Sequence, residues 1–336
     1  MKDIKNKLVS SKNTKNIKPR RGKMFGYHVL GFGSGGVVPP QYTVATGGTI
    51  ITCGDFKIHV FSSSANMVFA KVGNVGDYPG CSAAGPAKVD YLVVGGGAVG
   101  IIGGGGAGGF RYSYPSPGSC AGTITIDGAQ SIPVTVGGCE SDSVFSSITS
   151  AAGGRSSHYG GAGNPDGGSG GSGGGGAGAG STPQPFWTGG AGNVPPVSPA
   201  QGRAGGNRVA PVTTCITGAG GGGVGAVGTN NFGNGGVGGA IATAFFGPAS
   251  GCYGTPGPSA GRWFSGGGGG SLHQNTPARG TGGAGGGGDG HWLRAGQATL
   301  ATEAGGTNTG GGGGGGTATS GAGGSGIVAV RYRFQA

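Results

Sequence analysis

Glycine restricts this chain more than any other feature. It comes in runs, at 103–106, 173–176, 220–223, 266–270, 285–288 and 310–316, and 80 of the 93 glycines fall between residues 95 and 326. Each glycine in a helix interior costs about 1 kcal/mol relative to alanine, so segments this dense in glycine cannot hold helices. Collagen needs a strict Gly-X-Y period rich in proline, and the 19 prolines follow no period. Charged residues make up only 9% of the chain, against roughly 25% in ordinary soluble domains. A helical or α/β enzyme fold is excluded over most of the length.

Two arrangements compete for the glycine-rich stretch: a flexible Gly/Ser linker, or an ordered glycine lattice. Some runs keep a period of three, GGSGGS at 167–172 and GGVGGA at 235–240, and apolar residues sit three apart at Val224 and Val227. Three is the repeat of the polyproline-II helix, whose backbone makes no internal hydrogen bonds. Every N–H and C=O of such a helix must find a partner outside it. Where neighbouring helices are both glycine, no Cβ keeps them apart and their backbones can bond directly. The regularity favours the lattice.

Around this stretch the pattern is one of strands. Thr49–Thr52, Phe56–Phe61, Met67–Lys71 and Val89–Val94 are short, rich in β-branched and aromatic residues, and bounded by Gly, Ser and Pro. Thr123–Ile126 and Ile132–Val136 read as a hairpin joined at Asp127-Gly128, and Val144–Thr149 as a further strand. The closing strand at 326–334, GIVAVRYRF, sets Ile327, Ala329, Arg331 and Arg333 on one face and Val328, Val330, Tyr332 and Phe334 on the other. Its expected partners are the early strands. The predicted fold is all-β and irregular: a small antiparallel β-sandwich closed by the C-terminal strand, with a stacked polyglycine-II lattice. The expected division is a basic arm over 1–24, a Gly/Pro connector over 25–48, the sandwich over 49–158, the lattice over 159–326 and the closing strand over 327–336.

The net charge of +11 is uneven: residues 1–23 carry nine Lys or Arg against one acid, Asp3. A block such as Lys12, Lys15, Lys18, Arg20, Arg21 and Lys23 reads either as a solvated tail or as an anchor on an acidic surface. It holds no aromatic to stack on a base, which argues against sequence-specific nucleic-acid binding. No secretion signal follows it, and the longest apolar run, near Val89–Val94, falls far short of the roughly 20 residues a membrane helix needs. Membrane insertion is not expected. The six cysteines contain no CxxC pair, which argues against zinc. Continuing the expected hairpin outward sets Cys120 opposite Cys139, where β-carbons come about 4.5–5.5 Å apart. That pair is read either as a disulfide or as two free thiols.

Catalytic constellations are not evident. VDYLVVGGGAVG carries G-x-G-x-x-G at Gly95, Gly97 and Gly100, but IIGGGGAGGF follows where a dinucleotide fold requires a helix. In so glycine-rich a chain the match is expected by chance. The five histidines are dispersed, and of the ten carboxylates only Glu140 and Asp142 stand close together, in what reads as a solvated turn. A binding or structural protein without a cofactor is favoured over an enzyme.

Aromatics gather between the glycine runs: Phe186 and Trp187, Phe245 and Phe246, Tyr253, Trp263 and Phe264, His291 and Trp292. Near rod ends they serve either as an exposed platform for sugars or protein, or as caps on the lattice and subunit contacts. VDYLVVGGG, the glycine run leading to GGF, TITI…IPVTVGG and the closing GSGIVAVRYRF together resemble the glycine-rich domain of bacteriophage tail-fibre and other virion proteins. The resemblance implies a polyglycine-II sandwich displayed on a virion assembled in the host cytoplasm, as a fibre or capsid-decoration subunit. It further implies, in some members, contact with a host glycan or outer-membrane protein through loops at the helix ends. The chain departs from fibre-tip adhesins in carrying its own basic arm, which suits docking to other virion proteins, and a homo-oligomer such as a trimer is expected. The alternative is an extracellular glycine-rich scaffold or an ice-binding polyglycine protein.

Overall fold

The computed structural model describes residues 41–73, 87–114, 124–158, 166–178, 187–209, 217–231, 233–273, 279–293, 300–317 and 319–335. Two antiparallel sheets face each other. One contains β1 (Val44–Thr46), β4 (Ala65–Lys71), β8 (Gln130–Thr135), β9 (Ser143–Phe145) and β10 (Ile148–Ser150), in that spatial order. The other runs from β2 (Thr49–Cys53) through β3 (Phe56–Phe61), β17 (Ile327–Arg333) and β5 (Ala87–Val94) to β6 (Phe110–Tyr112), with β7 (Ile124–Ile126) also paired to β5.

Strand β17 holds the second sheet together. It pairs with β3 through Val328↔Phe61 to Arg333↔Phe56, and with β5 through Ile327↔Val94 to Arg331↔Asp90. The chain's last strand thus closes between early ones, as its alternation predicts. Both faces of it are buried. Val328, Val330 and Tyr332 join Phe61, Val89, Tyr91 and Val93 against Met67, Phe69, Ile132, Val134 and Phe145 of the first sheet. Ile327 and Ala329 face the other way, with Ile58, Val60, Leu92 and Val94, onto a second cluster formed by Phe110, Ile241, Phe245, Phe246 and Phe264. Full burial of one large apolar side chain is worth about 1.5–3 kcal/mol, so these two clusters anchor the sandwich.

Two local expectations fail. The segments expected to form a hairpin around Asp127-Gly128 belong to different sheets: β7 pairs with β5, and β8 pairs with β4 and β9. The turn crosses from one layer to the other because Ile124, Ile126, Ile132 and Val134 all fill the core between the layers. The strand expected over Val144–Thr149 is instead a tight hairpin, Ile148↔Phe145 to Ser150↔Ser143, folded at Ser146 with φ 54°.

Beyond the sheets the chain forms a lattice of extended threads. Thread 102–109 shows its rule. Gly104 and Ala107 donate to Ala219 and Gly222, Gly105 and Gly108 to Gly313 and Gly310, and Gly106 and Gly109 to Gly154 and Ala151. The carbonyls turn through three other threads: Gly104 and Ala107 accept from Gly175 and Ser172, Ile102 and Gly105 from Ser271 and Gly268, and Gly106 and Gly109 from Ala98 and Gly95. These bonds are 2.7–3.0 Å long. Every third residue returns to the same neighbour, as a three-residue helix requires, and the thread is enclosed by six others. Thread 266–271 repeats the pattern: Gly266 and Gly269 donate to Gly285 and Gly288, Gly267 and Gly270 to Gly236 and Gly233, and Gly268 and Ser271 to Gly105 and Ile102.

Contact this close leaves no room for side chains. A Cβ on Gly104 would lie 1.8 Å from the Gly268 carbonyl oxygen, and one on Gly105 2.1 Å from that of Ala98. The lattice begins earlier in the chain than the expected boundary at 159, since its enclosed thread at 102–109 lies within the span assigned by sequence to the sandwich. Gly95, Gly97 and Gly100, the glycines of the dinucleotide-like motif, also lie on a lattice thread: Gly97 donates to Gly324, and Gly100 bridges Gly321. Four short strands sit at one part of the lattice, β11 (Ala177–Gly178), β12 (Thr217–Gly218), β15 (Leu272–His273) and β16 (Trp292–Leu293). A separate pair is β13 (Gly239–Ile241) with β14 (Arg262–Phe264).

Candidate functional site

A lattice of backbones has edges, where N–H groups point away from the last thread. Short polar side chains cap them. The Asp166 carboxylate accepts the Thr188 N–H at 2.8 Å, Asn207 Oδ1 the Gly189 N–H at 2.8 Å, Asn230 Oδ1 the Asn207 N–H at 2.8 Å and Asn231 Oδ1 the Val209 N–H at 2.9 Å. Asn234 does the same for Thr281, and Asp289 for Gly282. Glu140 and Asp142, read from sequence as a solvated turn, accept the N–H groups of Val99 and Ala152. Arg155 pairs with Glu140 at 2.8 Å, and Arg279 bonds both Asp289 and Glu303. Sequence reasoning missed these caps. Their signal was the placement of Asn and Asp next to glycine runs, as in TNNFGNGG at 229–236.

The aromatics expected near rod ends are largely turned inward. Phe264 is fully buried against Phe110 and Phe246, and Tyr253 stacks on Phe246 with ring centroids 4.9 Å apart. Trp187 packs with Ile102 and Ala177. Trp263 is half-buried and its indole N–H donates to the Ser259 carbonyl. His291 is buried beside Thr317, and Trp292 is half-buried in β16. Phe186 lies outside the described residues. Burial takes Phe264, Trp187 and His291 out of the expected exposed platform, while Tyr253, Trp263 and Trp292 are half-buried.

Cys120 also lies outside the described residues. Cys139 is exposed and its Sγ accepts the Gly323 N–H at 3.3 Å. The facing geometry argued for this pair loses its basis once β7 and β8 separate into different sheets. The basic arm, Lys12, Lys15, Lys18, Arg20, Arg21 and Lys23, lies outside the described residues as well.

Two polar clusters are buried within the sandwich. His59 Nδ1 stands 2.7 Å from the Gly47 carbonyl and Nε2 3.0 Å from Tyr332 Oη, which itself accepts the Ala45 N–H. A neutral ring that donates from Nδ1 and accepts at Nε2 satisfies every one of these atoms. Burial lowers the His59 pKa and pushes that of Tyr332 up to about 12. On the opposite face Asp90 and Arg331 form an ion pair at 3.6 Å, with the guanidinium 3.6 Å above the Phe56 ring and 4.7 Å from that of Tyr114. Ser113 donates to Asp90 at 2.8 Å. Both clusters join strands distant in sequence.

One groove of about 550 Å³ opens beside β6, lined by Phe110, Arg111, Tyr112, Ser198, Pro199 and Arg203 among others. Tyr112 is 46% exposed, with its ring 5.0 Å from that of Phe110. The wall at Ser198–Ala200 is held from within. Asn193 Oδ1 accepts the N–H groups of Val197 and Gln201, and Gln201, itself buried, donates to the Pro195 carbonyl and accepts the Ala151 N–H. No acidic residue among the described residues lines the groove. Among the described residues, no group of three His, Cys, Asp or Glu could hold a metal ion.

A family model described as a glycine-rich domain matches residues 76–333. No curated protein and no solved structure matches the chain. The matched span runs through the enclosed lattice thread and ends on the last residue of β17, so the glycine lattice and its closing strand lie in one recognised unit, and the chain belongs to the glycine-rich domain family.

Proposed function

We propose that this chain is a structural protein of a bacteriophage particle, displayed on the surface as a fibre or capsid-decoration subunit and attached through its basic N-terminal arm. The observation that carries the reading is the enclosed thread at 102–109, bonded on all sides by backbone. Such a slab is stiff because no thread can shift without breaking bonds to several neighbours at once. It needs few apolar side chains, and it presents capped backbone edges to solvent. These properties suit a rigid spacer or projection better than a site of turnover. The arm adds a concentrated positive charge, +8 over residues 1–23, suited to docking on an acidic protein surface.

Proteomics of purified particles tests the reading. Peptides from this chain are expected in intact virions, and removal of residues 1–23 is expected to leave the body folded while abolishing its incorporation. Particles that lack the chain would refute the proposal.

A further inference from the structure

We infer that the groove beside β6 binds an acidic saccharide, with a sugar face on the Tyr112 ring and a carboxylate held by Arg203. The first ground is unmatched charge. Among the other described arginines, Arg155, Arg279 and Arg331 each face a carboxylate, Arg262 bonds the Tyr253 and Gly254 carbonyls, Arg208 bonds the Thr217 hydroxyl and Arg333 the Gln335 carbonyl. Arg203 is exposed and its guanidinium bonds no described residue, while Arg111 has one bond, from Nη1 to the Thr149 carbonyl at 3.3 Å. Arg203 therefore brings an uncompensated guanidinium to a groove with no acid among its described lining residues, whereas Arg111, opposite Val93, lies on the other face of β6 from Phe110 and Tyr112. Guanidinium geometry matches a carboxylate with two parallel hydrogen bonds.

The second ground is the ring. Tyr112 is the one aromatic among the exposed large apolar side chains of the described residues, and it lies in this groove. A flat ring with a polar hydroxyl suits the C–H face and hydroxyls of a pyranose. The third ground is rigidity. Asn193 and Gln201 fix the wall at Ser198–Ala200, so little ordering cost falls on binding. The volume lies within the roughly 300–1,000 Å³ of small-ligand sites. The opposing walls at Ser198–Ala200 and Gly239–Ala240 are of small residues, which favours a flat saccharide over a peptide needing a deep apolar socket.

The inference is independent of where the protein is displayed, since it is read on the purified full-length chain. Calorimetric titration would use tetragalacturonate, with neutral maltotetraose and a poly-glutamate peptide in parallel. Tetragalacturonate is expected to bind, and to bind more weakly as salt is raised. Arg203→Ala and Tyr112→Ala are each expected to weaken it by about tenfold or more. Lys71→Ala, which removes an exposed cation on β4, is expected to change nothing, and circular dichroism is expected to show all three variants folded. Absence of binding, equal binding of the neutral sugar, tighter binding of the peptide, or an Arg203→Ala variant indistinguishable from Lys71→Ala would each overturn the inference.

Discussion

Replacing Gly104 by alanine adds one methyl group to the middle of the enclosed thread. The new Cβ would lie 1.8 Å from the Gly268 carbonyl oxygen, 2.4 Å from its carbon and 2.8 Å from the Gly221 nitrogen. Ordinary contact needs about 3.4 Å, so one thread must move by roughly 1.6 Å. That shift stretches the bonds Gly104 N–H to Ala219, Gly105 N–H to Gly313, Gly175 N–H to Gly104 and Gly268 N–H to Gly105, now 2.8–2.9 Å, beyond hydrogen-bond range. At about 1 kcal/mol for each of four bonds, less about 0.4–1 kcal/mol regained from the stiffer unfolded chain, the net cost is about 3 kcal/mol. Typical total stability is only about 5–15 kcal/mol. The control is Gly128→Ala: nothing lies within 4 Å of that Cβ position and its φ is not positive, so it should be neutral or slightly stabilising. Chemical denaturation of both variants against the parent measures the difference. Equal midpoints for Gly104→Ala and Gly128→Ala would refute the idea that close backbone packing holds the lattice.

Acid and alkaline titrations probe the buried His59–Tyr332 pair. Because the His59 pKa is lowered, the unfolded chain binds the extra proton first, so stability should be level above about pH 6.5 and fall as pH drops below it; His59→Gln should flatten that slope. Tyr332 is pushed up to about 12, so stability should decline between about pH 10 and 12, by about 3 kcal/mol in all, and Tyr332→Phe should remove that decline. Asp90→Ala strands the buried Arg331 cation and should cost about 3–5 kcal/mol, whereas an unchanged melting temperature would show the pair to be dispensable. Asn207→Ala leaves the Gly189 N–H without its cap and should cost about 1 kcal/mol, with faster amide exchange confined to the neighbouring threads.

The strands were legible because short runs of β-branched and aromatic residues stand between Gly, Ser and Pro. Phe56–Phe61, the Val89–Val94 segment and Ile327–Arg333 each lie where their pattern places them, and the two faces of the closing strand divide as read. Period three in the glycine runs likewise led to the lattice. What failed was pairing. Ile124–Ile126 and Gln130–Thr135 have hairpin spacing and a suitable turn, yet the core between the layers claims both, and no local signal distinguishes a turn within a sheet from one between sheets. The lattice boundary was placed too late because the strands read after residue 110 assigned the whole of 49–158 to the sandwich, although the glycine enrichment already begins at residue 95. The aromatics were read either as an exposed platform or as caps, and Phe245, Phe246 and Phe264 are drawn inward by the outer face of the second sheet, where Ile58, Leu92 and Ile327 take them as apolar cover. Tyr112 was not singled out although it stands only three residues after Gly109, in the short strand that ends the glycine run at 103–109. The Asn and Asp caps went unseen because their role exists only once neighbouring threads are in place.

Hydrogen exchange at the amides of 104–109, followed by mass spectrometry or NMR, tests the central claim most directly. Six consecutive N–H groups bonded in rotation to three neighbouring threads should exchange only on global opening, and so rank with the β17 amides among the slowest in the protein. Exchange at the rate of an unstructured glycine-rich peptide, with β17 still protected, would contradict the lattice and leave a small sandwich carrying a long flexible loop.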